Sequence, residues 1–137
     1  MIFEKLNIKT NGELEFIEIT GLINEILRKY NVKNGLCNIF LKSTTSGLII
    51  NENDENLIED FKDMIKKIIP DNIKYRHDMT WGDGNGRSHI RSMFLKNSLC
   101  IPIINGKLDL GTWQSIFLVE LDVRPRNREI SITVTSA

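Results

Sequence analysis

The chain has 137 residues, 41% hydrophobic and 26% charged, and its 18 basic and 18 acidic side chains cancel to a formal net charge of zero. That length fits one domain with a real hydrophobic core; the balanced charge gives no basic footprint for nucleic acid, and no apolar run approaches the roughly 20 residues of a membrane-spanning helix. Met1-Ile2-Phe3-Glu4 leads straight into strand-like sequence with no signal-peptide pattern, and Cys37 and Cys100 each sit in an apolar run as buried small hydrophobes, so a cytoplasmic location is expected.

From the N-terminus, Ile2 to Thr10 and Leu14 to Ile19 alternate apolar and polar residues, and Asn11-Gly12 between them is a hairpin signal. Thr20 is placed to cap a helix from Gly21 to about Tyr30, whose apolar positions Leu22, Ile23, Ile26 and Leu27 fall at helical spacing. Gly35 to Lys42 and Gly47 to Asn51 read as strands. Asn53 or Asp54 caps a second helix that ends before Pro70, with Leu57, Phe61, Met64, Ile65, Ile68 and Ile69 as its apolar stripe. The charges between them form its solvated face.

Thr80-Trp81-Gly82-Asp83-Gly84-Asn85-Gly86-Arg87-Ser88-His89 follows, too glycine-rich for a regular element. Ser88 then caps a short helix from His89 to about Leu95. Ser98 to Ile104 and Lys107 to Leu110 flank a second hairpin turn at Asn105-Gly106, and Thr112 to Leu121 and Arg128 to Thr135 close a strand-rich C-terminal half. The sum is one α+β domain over residues 1–137: an antiparallel sheet or sandwich with two main helices and one short helix.

Both histidines flank the glycine loop. His77 and His89 are twelve residues apart and free to converge, as general acid or base or as ligands for a divalent metal, Mg²⁺ or Zn²⁺, with oxygen donors from Asp78, Asp83 and Asn85. Their spacing matches no named zinc pattern, and anchoring of the loop backbone is an equal alternative. Ser43-Thr44-Thr45-Ser46 puts four hydroxyls before Gly47, either an anion cradle or a turn that bonds its own backbone. Asn51-Glu52 ends a strand, where Glu52 serves as a base or metal ligand or complements the N-terminus of the next helix. Gly111-Thr112-Trp113-Gln114 offers a flat wall and an amide. Arg124, Arg126 and Arg128 around Pro125 suit a phosphate or carboxylate, or an interface.

Taken in order, these segments resemble the YjbQ family. The pieces are Thr44 to Glu52, Tyr75-Arg76-His77-Asp78, Gly82 to Asn85 with Ser88 to Ser92, and Leu99 to Pro102. They continue with Asn105 to Gln114, in which Gly106 to Gln114 is the most specific run, and Arg124-Pro125-Arg126. The resemblance covers nearly the whole chain. It implies a compact α+β domain that assembles as a homotrimer. It also implies a site near a subunit boundary formed from Thr44, Thr45, Asn51, Glu52, His77, Asp83, Asn85, His89, Arg91 and Gln114.

The activity it implies is a secondary thiamine-phosphate synthase reaction, which joins a pyrimidine diphosphate to a thiazole phosphate and releases pyrophosphate. In that reading His77, His89 and Glu52 are catalytic. Ser43, Arg91, Arg124 and Arg126 face the phosphate groups, and Trp113 and Gln114 face the pyrimidine. The family pattern carries a third histidine where this chain has Ser43, which leaves a two-imidazole metal set. The alternative is a non-catalytic trimer that binds a metal or a small phosphorylated or anionic metabolite.

Overall fold

A computed structural model describes residues 1–137. The strands are β1 (Ile2–Lys9), β2 (Glu15–Glu18), β3 (Gly35–Leu41), β4 (Ser46–Asn51), β5 (Ser98–Ile104), β6 (Lys107–Leu108), β7 (Ser115–Glu120) and β8 (Asn127–Ser136). The helices are α1 (Thr20–Lys29), α2 (Glu55–Ile68), α3 (Asp78–Trp81) and α4 (Gly86–Met93). The strands form two antiparallel sheets, one ordered β1-β8-β3-β5-β6 and the other β2-β7-β4. No helix is long and apolar enough to cross a membrane.

Period-two alternation decides which faces meet. Cys37, Ile39 and Leu41 of β3, Ile101 and Ile103 of β5, and Ile130, Ile132 and Val134 of β8 point inward from the large sheet. They pack against Leu48, Ile116 and Leu118 of the small sheet and against Ile23, Ile26 and Leu27 of α1. The other face of the small sheet, with Phe117 and Val119, is covered by Ile65 of α2, by Ile69 just past its end and by Ile90 of α4. Phe16 stands edge-on to both Phe61 and Phe117, at ring centroid distances of 5.5 and 5.7 Å. The layers are therefore sheet, sheet and helices, with α1 closing one side of the inner core.

Several local expectations give way to tertiary structure. Asn11-Gly12 does not close a hairpin: β1 pairs with β8 and β2 with β7, so the chain crosses between sheets at that turn. Thr20 does not cap α1. Ile19 holds the N-cap position, and the Thr20 hydroxyl accepts from the Ile116 N–H, which ties the helix to β7. Asp54 caps α2, its carboxylate accepting from Leu57 N–H at 2.8 Å. Gly111 to Gln114 forms a turn rather than a strand, with Gln114 Oε1 accepting from Gly111 N–H at 2.7 Å. Asn105-Gly106 does close a hairpin, with φ of 53° and 86° and Ile104 opposite Lys107. Cys37 is buried, whereas Cys100, one register step away on the opposite face, is exposed.

Candidate functional site

The glycine-rich stretch is shorter as a loop than its composition suggests. α3 reaches in to Trp81 and α4 starts at Gly86, two residues before the expected Ser88 cap, which leaves only residues 82–85 irregular. Gly82 and Gly84 adopt left-handed φ of 70° and 67°, which a side chain resists. Asp78 supplies the cap that Ser88 does not: its carboxylate accepts from Gly86 N–H at 2.9 Å and from Tyr75 N–H at 3.3 Å. The loop is thus folded back on its own start, and His77 and His89 meet with ring centroids 4.2 Å apart.

α4 is held from below by a buried cation. Arg91 is 1% exposed and donates through Nε and Nη2 to the Ile69 carbonyl and through Nη1 to Glu13. Arg87 makes a second, two-pronged pair with Glu13 at 2.7 and 3.0 Å. Arg91 therefore does not reach a ligand. It fixes α4, and with it His89, against the end of α2.

The imidazole pair lines a cleft of about 920 Å³ at one end of the sandwich. Its other walls come from the end of β3 through the hydroxyl turn, from the β7–β8 connection and from Trp81 and Asn97. The hydroxyl turn has two roles. Ser43 Oγ accepts from Thr45 N–H at 3.1 Å and from the Ser46 hydroxyl at 2.7 Å, so it closes the turn and keeps its own O–H free to donate. Thr45 faces inward, its hydroxyl 2.8 Å from Arg128 Nη2 and 3.3 Å from Asp122 Oδ2. Thr44 is left on the cleft wall.

Behind this wall runs a buried polar network. Arg128 grips Glu120 with Nε and Nη2 at 2.8 and 2.5 Å and also donates to the Thr45 carbonyl. Glu120 further accepts from the Thr10 hydroxyl and the Asp122 N–H. Asp122 accepts from Arg126 Nε at 2.7 Å, Asn85 Nδ2 at 3.3 Å and Val123 N–H at 2.8 Å. Burial works against its charge, but these donors outweigh burial and hold the Asp122 carboxyl below the ordinary aspartate range. Desolvation also pushes the His89 imidazole below its ordinary value, which disfavours its charged form, and the charge of His77 adds to that. Asp122 and Asp83 pull it back only in part. The shift favours the neutral form of the His89 imidazole, the form that accepts a proton.

Each cation of the cleft already faces a carboxylate: Lys42 with Glu129 at 2.7 Å, Arg126 with Asp122 at 2.7 Å and Arg128 with Glu120. Arg126 uses only Nε in its pair, so its outer nitrogens remain available. His77 Nδ1 and Asn85 Oδ1 are buried without a partner. No third His, Cys, Asp or Glu side chain joins the two imidazoles into a metal-holding group. Neutral imidazoles can exchange protons with a bound ligand near neutral pH.

The structure brings together Ser43, Thr44, Thr45, His77, Asp83, Asn85, His89 and Arg126. Arg124 sits at the rim and donates to the Asp83 carbonyl at 3.1 Å. The remaining candidates lie elsewhere. β4 runs from Ser46, beside the cleft, to Asn51, roughly 16 Å away at ~3.3 Å per residue. Asn51, Glu52, Trp113 and Gln114 gather at that far end: Asn51 pairs with Ser115 in the ladder, and Glu52 borders a small apolar pocket with Phe61. Glu52 does not complement α2 directly, since Asp54 holds the cap.

Lys42, Trp81, Asn97, Asp122 and Asn127 also line the cleft. Glu120 and Asp122 were legible in principle: two carboxylates inside Phe117-Leu118-Val119-Glu120-Leu121-Asp122-Val123 must be buried with partners.

Fold and cleft together define a two-sheet α+β domain with paired imidazoles at one end. The chain belongs to the UPF0047 protein YjbQ-like family, whose model matches residues 4–137. It is 40% identical over 131 residues to a UPF0047 protein of Methanothermobacter thermautotrophicus, covering 96% of this chain and 90% of that protein. A UPF0047 protein of Methanocaldococcus jannaschii is 38% identical over 135 residues, covering 98% and 94%. Among solved structures, a YbjQ-like protein of unknown function from Sulfolobus solfataricus superposes with a TM-score of 0.91 at 32% identity, over 99% of this chain and 97% of that one. A hypothetical protein from Aeropyrum pernix matches with a TM-score of 0.91 at 28% identity over the whole of both chains.

Proposed function

We propose that the cleft is a metabolite site for a small anion of the phosphomonoester kind, with His89 as proton acceptor and His77 as its partner. The observation that carries this reading is the meeting of two imidazoles at 4.2 Å on the wall that faces the hydroxyl turn. The Ser43 and Thr44 hydroxyls and the outer nitrogens of Arg126 grip the anion. His89, its neutral form favoured by desolvation and by His77, takes or returns a proton at the atom joining the anion to the rest of the ligand. Asp122 orients Arg126 and Asn85.

The finer reading is the thiamine-phosphate synthase reaction. It asks this site to protonate a leaving diphosphate, a task within reach of His77 or His89. The paired state of Lys42, Arg126 and Arg128 argues that a diphosphate needs additional positive charge, whereas a monophosphate does not. The same pairing favours the second reading, in which the cleft holds an anionic metabolite without chemistry.

The homotrimer implied by the resemblance is proposed alongside, and light scattering at three times the 15.8 kDa chain mass tests it. The functional test incubates the protein with the pyrimidine diphosphate, the thiazole phosphate and Mg²⁺ and follows thiamine phosphate. The enzyme reading expects His77→Ala and His89→Ala to abolish product while the fold survives. Full turnover in either variant removes the imidazoles from the mechanism. Binding of phosphate compounds without any product leaves the binding reading.

A further inference from the structure

The main cleft is not the only space that His89 faces. A groove of about 420 Å³ opens beside it and shares Ser43, Thr44, His89 and Asn97 with the cleft. Ser92, Met93 and Leu95 complete its lining. The two spaces differ in charge. The cleft is lined by Lys42, Arg126, Arg128, Asp83 and Asp122, whereas the groove has no Lys, Arg, Asp or Glu in its wall.

The groove's residues also differ in stiffness. Leu95 lies directly on β4 because position 47 has no side chain: a Cβ there would stand 2.5 Å from Leu95 Cβ. Its place is therefore fixed by backbone contact. The Ser92 hydroxyl is spent on the framework, donating to the Ser46 carbonyl at 2.7 Å. Met93, by contrast, is 78% exposed, and its unbranched thioether adapts to whatever lies against it. Leu95 and Met93 give this uncharged groove one fixed and one pliable apolar surface, set among the polar side chains of Ser43, Thr44, His89, Ser92 and Asn97, so a short hydrocarbon segment lies against those two side chains.

We infer that this groove is a second subsite, which receives an uncharged and largely apolar extension of the ligand whose anionic end occupies the main cleft. The inference rests on the reading of the cleft given above and narrows its substrate class to phosphomonoesters with an apolar substituent. The ligand straddles the ridge formed by Ser43, Thr44 and His89. The bond between its charged and apolar parts then lies beside the His89 imidazole, which is where a proton acceptor is useful.

Isothermal titration with inorganic phosphate, ethyl, butyl and hexyl phosphate tests this. Affinity is expected to rise with chain length by roughly threefold per methylene buried, until the groove is filled. Met93→Asp puts a carboxylate into the groove and is expected to bring the ratio of hexyl phosphate to inorganic phosphate affinity close to one. Met64→Asp, on the exposed side of α2, is expected to keep the wild-type ratio. Phosphate binding with no gain for hexyl phosphate overturns the subsite and leaves the cleft reading standing. Absence of binding by all four compounds overturns both. An unchanged ratio in Met93→Asp, or an equal loss in Met64→Asp, shows that the alkyl chain binds elsewhere and also overturns the subsite.

Discussion

Arg128→Met removes the central cation of the buried network without removing its volume. Arg128 donates twice to Glu120 and twice to Thr45, and the Glu120 side chain has no solvent exposure. Breaking a buried ion pair from one side costs about 3–5 kcal/mol, because the remaining charge stays buried. Glu120 keeps two donors, the Thr10 hydroxyl at 2.7 Å and the Asp122 N–H at 3.0 Å, so the loss belongs at the lower end, about 3 kcal/mol. For a domain of this size that amounts to a fall in Tm of roughly 10 °C.

The companion variant Glu120→Gln/Arg128→Met removes the stranded charge; its amide oxygen can still accept from the Asp122 N–H, and its NH2 group can donate to the Thr10 hydroxyl oxygen. It is expected to recover at least ~1 kcal/mol relative to Arg128→Met. Urea unfolding read by near-ultraviolet circular dichroism gives both numbers. A loss below about 1 kcal/mol for Arg128→Met, or no recovery in the double variant, would refute the claim that a desolvated ion pair anchors the cleft wall.

Three further outcomes follow from the same structure. His89 has a lowered pKa when folded, so the unfolded chain binds its proton first as the pH falls. Tm should therefore decline as pH drops below about 6.5, the ordinary histidine value, and His89→Gln should flatten that part of the profile. Gly47→Ala drives a methyl into Leu95 and should cost about 1–3 kcal/mol, with Leu95→Gly, which removes the clashing Cβ, showing favourable coupling to it in a double-mutant cycle. Arg91→Met strips the Ile69 carbonyl of both guanidinium donors and leaves Glu13 to Arg87 alone, and should lower stability by about 1–3 kcal/mol. Hydrogen exchange should rise across α4 before it rises in β8.

Much of the fold was legible because it is written locally. The alternation in β1, β3, β5 and β8, the Asp54 cap of α2 and the Asn105-Gly106 turn each depend on neighbours within a few residues; the expected α2 stripe is buried only in part, with Leu57, Met64 and Ile68 exposed. Partner choice is not local. Asn11-Gly12 looks like a hairpin turn from its sequence, yet β1 and β2 bury their apolar faces better in separate sheets.

The site divides the same way. The glycine loop and the hydroxyl turn announce themselves by composition, and they do share one cleft. Glu52 and Gln114 have equally suitable chemistry, but the length of β4 carries them to the other end of the sheet. The three arginines near Pro125 look equivalent in sequence. Their fates are set by what is buried beside them: Arg124 at the rim, Arg126 half engaged with Asp122, and Arg128 spent on Glu120.

The central claim is that ligand chemistry happens between His77 and His89. Nuclear magnetic resonance of the two imidazole rings during a titration with hexyl phosphate addresses it most directly. Saturable shifts of both rings are expected, with His89 the larger, together with shifts of the Ser43 and Thr44 amides. Saturable binding that leaves the rings unmoved and instead shifts Asn51, Glu52 and the Trp113 indole would contradict that claim and move the site to the opposite end of the sheet.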